Sequence, residues 1–402
     1  RQGPGHPGGH GGGGREARYR LHTVLQRDRQ GGQSLEPGHR AVLGHRVRGD
    51  RGAFRLLAGH AVRAQCLGGG RSGHLGCGDC HRRNYRFDGV DWNREAIVRG
   101  TGGRLFDIES GDDFGEDIGL SADGNTLAVG ASNTNRAYVF SFDGSEWSLD
   151  ALFEGQNVLG ENVFGDDVAI SADGNTVAVG SPWEDELAGA VYVFRFDGTN
   201  WNQESRIQGE NGDESDGFGK VSLSADGTLL LVGASREDSV ATGIDGDQTD
   251  NSASGAGAVY LYRYDNFNWQ RAAYIKASNT ESADQFGANV VISSDGNTIA
   301  VAATGEDSRA TGVNGDQNDN SIADSAAVYI FRFDGSSWSQ DAYVKSTNPD
   351  DRDYFGGANG IALSADGSTL AIGAGREDSA ATGIGGDQSD NSASLAGAVY
   401  VY

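Results

Sequence analysis

From about residue 112 onward the chain alternates short runs of β-branched and aromatic residues with tight polar punctuation. Residues 164–201 read FGDDVAISADGNTVAVGSPWEDELAGAVYVFRFDGTNW. DVAIS and TVAVG are strand-length runs joined by Ala-Asp-Gly-Asn, in which Gly174 can take positive φ and Asp173 can bond the backbone. That predicts a hairpin. GAVYVFRF predicts a third strand, Asp197-Gly198 a second turn, and Trp201 to Ile207 a fourth strand. A four-stranded antiparallel meander of this size cannot cover both of its faces, so several must stack.

The unit recurs. Phe-Gly stands at Phe114, Phe164, Phe218, Phe286 and Phe355, spaced 50, 54, 68 and 69 residues apart, and Trp147, Trp201, Trp269 and Trp338 keep the same beat after Trp92. Four-stranded units of this length, arranged radially, make a β-propeller. The pattern therefore predicts an all-β fold of four-stranded antiparallel blades at about residues 112–155, 162–208, 216–277, 284–346 and 353–402, the last lacking its fourth strand. Within a unit, Phe164 is expected to plug the gap between sheets, and Gly165 to allow close backbone approach.

At these residues, over roughly 84–402, the sequence resembles the FG-GAP repeats of integrin α-subunit propellers and their bacterial relatives. Phe-Gly is present in all five copies, and Gly-Ala-Pro survives as Gly130-Ala131-Ser132, Gly180-Ser181-Pro182, Gly233-Ala234-Ser235 and Gly373-Ala374-Gly375. The resemblance implies a propeller, commonly seven-bladed, on an extracellular protein that binds proteins or other ligands. It also implies Ca²⁺ in the first hairpin, held by Asp-x-Asp-x-Asp-Gly-x-x-Asp. This chain departs from that pattern, because its hairpins read SADGNT, SADGNT, SADGTL, SSDGNT and SADGST. Asp123, Asp173, Asp226, Asp295 and Asp366 are accordingly read as turn formers.

The longer spacing of the later copies comes from an insertion between the second and third strands, present at residues 237–260, 306–329 and 377–400 with the shared pattern EDS-x-ATG-x-x-GDQ-x-DNS. Asp245, Asp247 and Asp250, then Asn314, Asp316 and Asp319, then Asp387 and Asp390, put oxygens on a Gly-rich loop, with Asn251, Asn320 and Asn391 beside them. These are Ca²⁺ ligand types at Ca²⁺-like spacing, which makes them candidate metal ligands. The plainer reading is a solvated structural loop, since Asp, Asn, Ser and Gly fill any exposed turn. Gly385 at the first position weakens the metal reading most for the third loop.

Charge separates two compositions. Residues 1–100 carry 18 Arg against 8 acidic residues, a balance of +10, which leaves −35 of the net −25 on residues 101–402. The acidic part disfavours nucleic acid, and no window reaches the roughly 20 apolar residues of a membrane helix. It has neither histidine nor cysteine, and Glu237-Asp238 recurs as Glu306-Asp307 and Glu377-Asp378, which marks a repeat position rather than an acid–base pair. No enzyme activity is expected.

All eight histidines and all three cysteines lie in the first 81 residues. Cys77-x-x-Cys80-His81 fits c-type haem attachment, and with His74 a Zn²⁺ site can be drawn, but the surrounding stretch has no hydrophobic period. No haem is expected. Back-translated and read one base later, residues 54–70 permit the Phe-Gly, Asn/Ser and Leu-Ala-Val-Gly of the repeat in register, so this stretch reads as the same repeat out of frame. As written, its Gly/Arg-rich composition predicts disorder over 1–83, followed by a lone fourth strand near Trp92. The alternative is a basic tail that binds acidic surfaces. The chain starts at Arg1 and stops at Tyr402 in a strand-like run, which reads as a fragment of a longer, seven-bladed parent.

The sequence thus points to a secreted or cell-surface binding or adhesion module, non-catalytic, with a protein or glycan ligand and candidate Ca²⁺ loops. The alternatives are a purely architectural repeat of a larger secreted protein and the non-catalytic part of a secreted hydrolase.

Overall fold

The computed structural model describes residues 54–57, 60–66, 80–87, 92–98, 113–155, 163–357 and 359–402, with little beyond the backbone for the first four segments. All of these fall in one compact unit, Arg40–Tyr402. They form six meanders with strands in sequence order, five of four strands and one of three. Blade I runs from Phe54 to Val98, blade II from Ile118 to Glu154, blade III from Val168 to Ile207, blade IV from Phe218 to Ile275, blade V from Phe286 to Val344, and blade VI, with three strands, from Ile361 to Val401. Consecutive blades pack through their first and second strands, as in a β-propeller.

Blades II to VI match the predicted repeats. Blade I corrects the sequence reading: the strand Trp92–Val98 is not alone but pairs with Cys80–Phe87, which pairs with His60–Cys66 and that in turn with Phe54–Leu57. Strands therefore occur within residues 1–83, where disorder was expected. Composition averaged over that stretch hid local runs such as HAVRAQC, in which apolar and polar residues alternate as strand pairing requires. The remaining residues of 1–83, Cys77 and His74 among them, lie outside the described residues. Cys80 and His81 open the third strand of blade I.

The repeated dipeptides hold neighbours together. The Phe164 ring is fully buried, edge-on to Tyr192 at 5.2 Å, in one cluster with Ala128, Ala137 and Val139 of blade II. Gly165, at φ +94°, donates its N–H to the Gly180 carbonyl of its own blade at 2.9 Å. Its carbonyl lies where a Cβ on Gly130 of blade II would come within 2.0 Å. The Gly of Phe-Gly and the Gly of the Gly-Ala-Pro remnant are thus two halves of one interblade contact, repeated for Gly180 against Gly219 and for Gly233 against Gly287.

The first hairpins interlock as well. In SADGNT, the Asp123 carboxylate accepts bonds from the Ser121 hydroxyl at 2.6 Å and the Asn125 N–H at 3.0 Å, and Ser121 Oγ accepts the Thr126 N–H. Asp173, Asp226, Asp295 and Asp366 repeat this, so all five are turn formers, as read from the sequence. Each turn then donates to the next blade's turn: Ala122 to Ala172, Ala172 to Ala225, Ala225 to Ser294, and Asp295 to Ala365, at 2.8–3.2 Å.

Every four-stranded blade also carries a register shift between its third and fourth strands at the same place, after Asn84, Val139, Val193, Leu261 and Ile330. A bulge of this kind swings one side chain out of the strand's alternation. The bulged residue is the third after the repeat tryptophan, for example Asp150, Glu204 and Asp341.

Candidate functional site

The three long loops join second to third strands, so the meander topology puts them at the same edge of blades IV, V and VI, opposite the turn ladder. A buried glutamate anchors each one. Glu237 is 0% exposed and receives Lys276 Nζ at 2.9 Å on Oε2, with Tyr274 OH and Asn211 Nδ2, each at 2.9 Å, on Oε1. In blade V, Glu306 receives Lys345 Nζ at 2.8 Å and Tyr343 OH at 2.7 Å, while Lys345 also donates to Ser325 Oγ at 2.7 Å. Desolvation pulls both ammonium groups below the usual lysine range, against the pull of their glutamates. Glu377 of blade VI keeps the Asn348 and Ser379 contacts, at 3.0 Å each. Among the described residues that blade has no fourth strand to supply a Tyr and a Lys.

The asparagines come from the link that precedes each blade. Asn211, Asn279 and Asn348 donate to the buried glutamate and to the loop carbonyls of Gln248, Gln317 and Gln388, and accept the hydroxyls of Tyr260, Tyr329 and Tyr400. A buried aspartate closes the same link: Asp216, Asp284 and Asp353 accept the N–H of Asp213, Glu281 and Asp350 at 2.9–3.0 Å. Burial pushes these three carboxyls up to about 7, about 8 and about 6, with the neighbouring acids adding to it.

The candidate metal ligands are placed as follows. Asp245 and Asn314 lie in the left-handed region, φ 53° and 58°, and both bond the fourth strand, accepting the N–H of Tyr274 and Tyr343 at 2.9 Å on their side chains. Gly385 holds the equivalent conformation at φ 68°. Asp, Asn and Gly are the residues that tolerate it, so the variation read against a metal site is a backbone requirement. Asp247, Asp316 and Asp387 each accept the N–H two residues on, from Thr249, Asn318 and Ser389 at 2.9–3.0 Å. Asp250, Asp319 and Asp390 close the loop with backbone carbonyls that accept from Val240, Arg309 and Ala380. Among the described residues, no three His, Cys, Asp or Glu side chains gather as a metal-binding group. Asp247, Asp316 and Asp387 thus turn a side-chain oxygen to their own loop, and Asp245 and Asn314 turn theirs to the fourth strand.

The anchors Lys276 and Lys345, the three asparagines and the buried aspartates were not picked out from the sequence. A signal existed: only three lysines occur in the whole chain, and two of them fall at the same distance after Trp269 and Trp338. Buried lysines signal a specific partner.

Meanders, turn ladder and interblade glycines define a β-propeller. The FG-GAP repeat family matches residues 147–194, and the geometry of that stretch recurs from blade to blade, which fits an FG-GAP β-propeller. No curated protein matches it. Among solved structures, a Lactobacillus plantarum protein is 11% identical over 79% of this chain and 75% of its own, with a TM-score of 0.48. A functionally unknown protein from Desulfotomaculum acetoxidans is 14% identical over 73% and 68%, with a TM-score of 0.44. Kuenenia stuttgartiensis hydrazine synthase is likewise 14% identical over 73% and 68%, with a TM-score of 0.45. These likenesses are too distant to bear on function.

Proposed function

We propose that the chain is a non-catalytic binding or adhesion module of a secreted or cell-surface protein, with a protein or glycan ligand engaged at the long-loop edge. The observation that carries this is the anchoring. Three loops of one pattern are fixed at their bases by buried networks, while Asp247, Asp316 and Asp387 at their tips stay exposed. Loops positioned by a rigid scaffold are where binding residues concentrate. No helix among the described residues is long and apolar enough to cross a membrane. The test is retention on extracellular matrix proteins and immobilised glycans of the unaltered chain against the triple variant Asp247→Ala, Asp316→Ala, Asp387→Ala. Binding predicts loss of retention by a variant that still unfolds cooperatively, with its melting temperature lowered only slightly by the lost loop hydrogen bonds. Equal retention by both proteins favours the architectural reading, in which the repeats only space other parts of a larger protein.

A further inference from the structure

The edge away from the long loops carries a departure from the repeat. In blade III, Arg195 on the third strand forms an ion pair with the bulged residue Glu204 at 3.0 Å, donates to Thr176 Oγ1 at 2.9 Å, and lies over the Tyr264 ring of blade IV at 4.5 Å. In blade V, Arg332 pairs with the bulged Asp341 at 2.7 Å and with Thr298 Oγ1 at 3.0 Å. In blade I, Arg86 lies over Phe142 of blade II at 4.8 Å. The arrangement is a guanidinium seat with three walls: a bulged carboxylate, a threonine hydroxyl and the next blade's aromatic ring.

Blade II keeps the walls and lacks the arginine. Its third strand has Ser141 where blades III and V have Arg195 and Arg332, opposite Thr126 as those are opposite Thr176 and Thr298. Asp150 occupies the bulge, with no ion pair among the described residues, and Phe196 is the ring that follows in blade III. Against the Asp150 and Phe196 walls lies a cavity of about 370 Å³, lined also by Phe153, Asn200 and Trp201, with Ser141 and Thr126 outside its lining. Trp201 Nε1 is buried there without a hydrogen-bond partner, whereas Trp269 Nε1 in the next blade donates to Glu204 at 3.1 Å.

We infer that the cleft between blades II and III is a binding seat for an arginine side chain supplied by a protein ligand. This goes beyond the binding reading above, because the seat lies at the opposite edge of the blades from the long loops. The entering guanidinium pairs with Asp150 as Arg332 pairs with Asp341, donates to Thr126, and stacks on Phe196 as Arg195 does on Tyr264. A carboxylate with an aromatic face favours the planar guanidinium over an ammonium or a neutral urea. The −35 carried by residues 101–402 attracts cations in general, so selectivity among probes is the informative quantity.

The test titrates the full chain with N-acetyl-arginine amide, following the Trp201 indole N–H by NMR, beside the lysine and citrulline analogues. The expected result is a saturable shift at millimolar probe, with both analogues about tenfold weaker or more. Asp150→Asn is expected to remove the response, as is Ser141→Arg, which fills the seat from within the blade. Equal response to arginine and citrulline overturns the inference, as does undiminished binding in a folded Ser141→Arg or Asp150→Asn variant. Failure of the loop-tip experiment does not affect this readout, because the seat lies at the other edge of the blades.

Discussion

At the residue scale, two kinds of glycine look alike in sequence and differ in structure. Gly367 has φ +65°, and a Cβ there would come within 2.2 Å of Thr298 Oγ1 of the preceding blade; Gly198 has φ +95° with nothing within 4 Å. Gly367→Ala combines backbone strain with overpacking and should cost about 2–4 kcal/mol. Gly198→Ala carries the backbone term alone, about 1–2 kcal/mol. Urea unfolding midpoints of the two variants check the order. Asp247, Asp316 and Asp387 already hold their own loops, so EDTA or millimolar Ca²⁺ should move the melting temperature no more than ionic-strength-matched NaCl. A specific Ca²⁺ stabilisation of several degrees would instead favour the candidate Ca²⁺ ligands.

At the element scale, the long loops depend on their anchors. Lys345→Met leaves Glu306 charged and buried without its cation, which should cost about 3–5 kcal/mol, and adding Glu306→Gln should recover most of it. Equilibrium unfolding of the single and double variants reads this directly. The elements themselves were legible: period-two runs, Asp-Gly turns and the Phe-Gly beat located the strands of blades II to VI. The anchors were less so, because Glu237 and Lys276 stand 39 residues apart and meet only once the meander is folded. Glu237, Glu306 and Glu377 were seen as repeat positions, but periodicity says where a residue recurs and not whether it is buried. The Ser141 substitution was missed for the opposite reason. It is one departure in a regular pattern, and its meaning depends on Thr126, Asp150 and Phe196 closing around it.

At the scale of the whole molecule, the buried aspartates set the pH response. Asp216, Asp284 and Asp353 hold their protons more tightly folded than unfolded, with folded values of about 7, about 8 and about 6. Between the ordinary aspartate range near 4 and those values the folded chain binds more protons, so stability falls as pH rises through the window. The melting temperature should therefore be higher at pH 5.5 than at pH 8.5, roughly the two sides of that window. Relief of the general acidic repulsion has the same sign, and Asp284→Asn separates the two by flattening only the part that this side chain supplies. A melting temperature that rises toward pH 8.5 would contradict the buried arrangement. Below the ordinary aspartate range the trend reverses, because the turn aspartates are held down by their hydrogen bonds, Asp366 to about 2 through Ser364 and Ser368. The hydrogen bonds that pass from one SADG turn to the next have a further consequence for how such a chain can grow. Each blade presents a donor on one flank and a matching acceptor on the other, so a duplicated blade arrives with both joints already made. Lengthening by unequal exchange within the gene then needs no new interface, and variation can collect in the loops at the far edge.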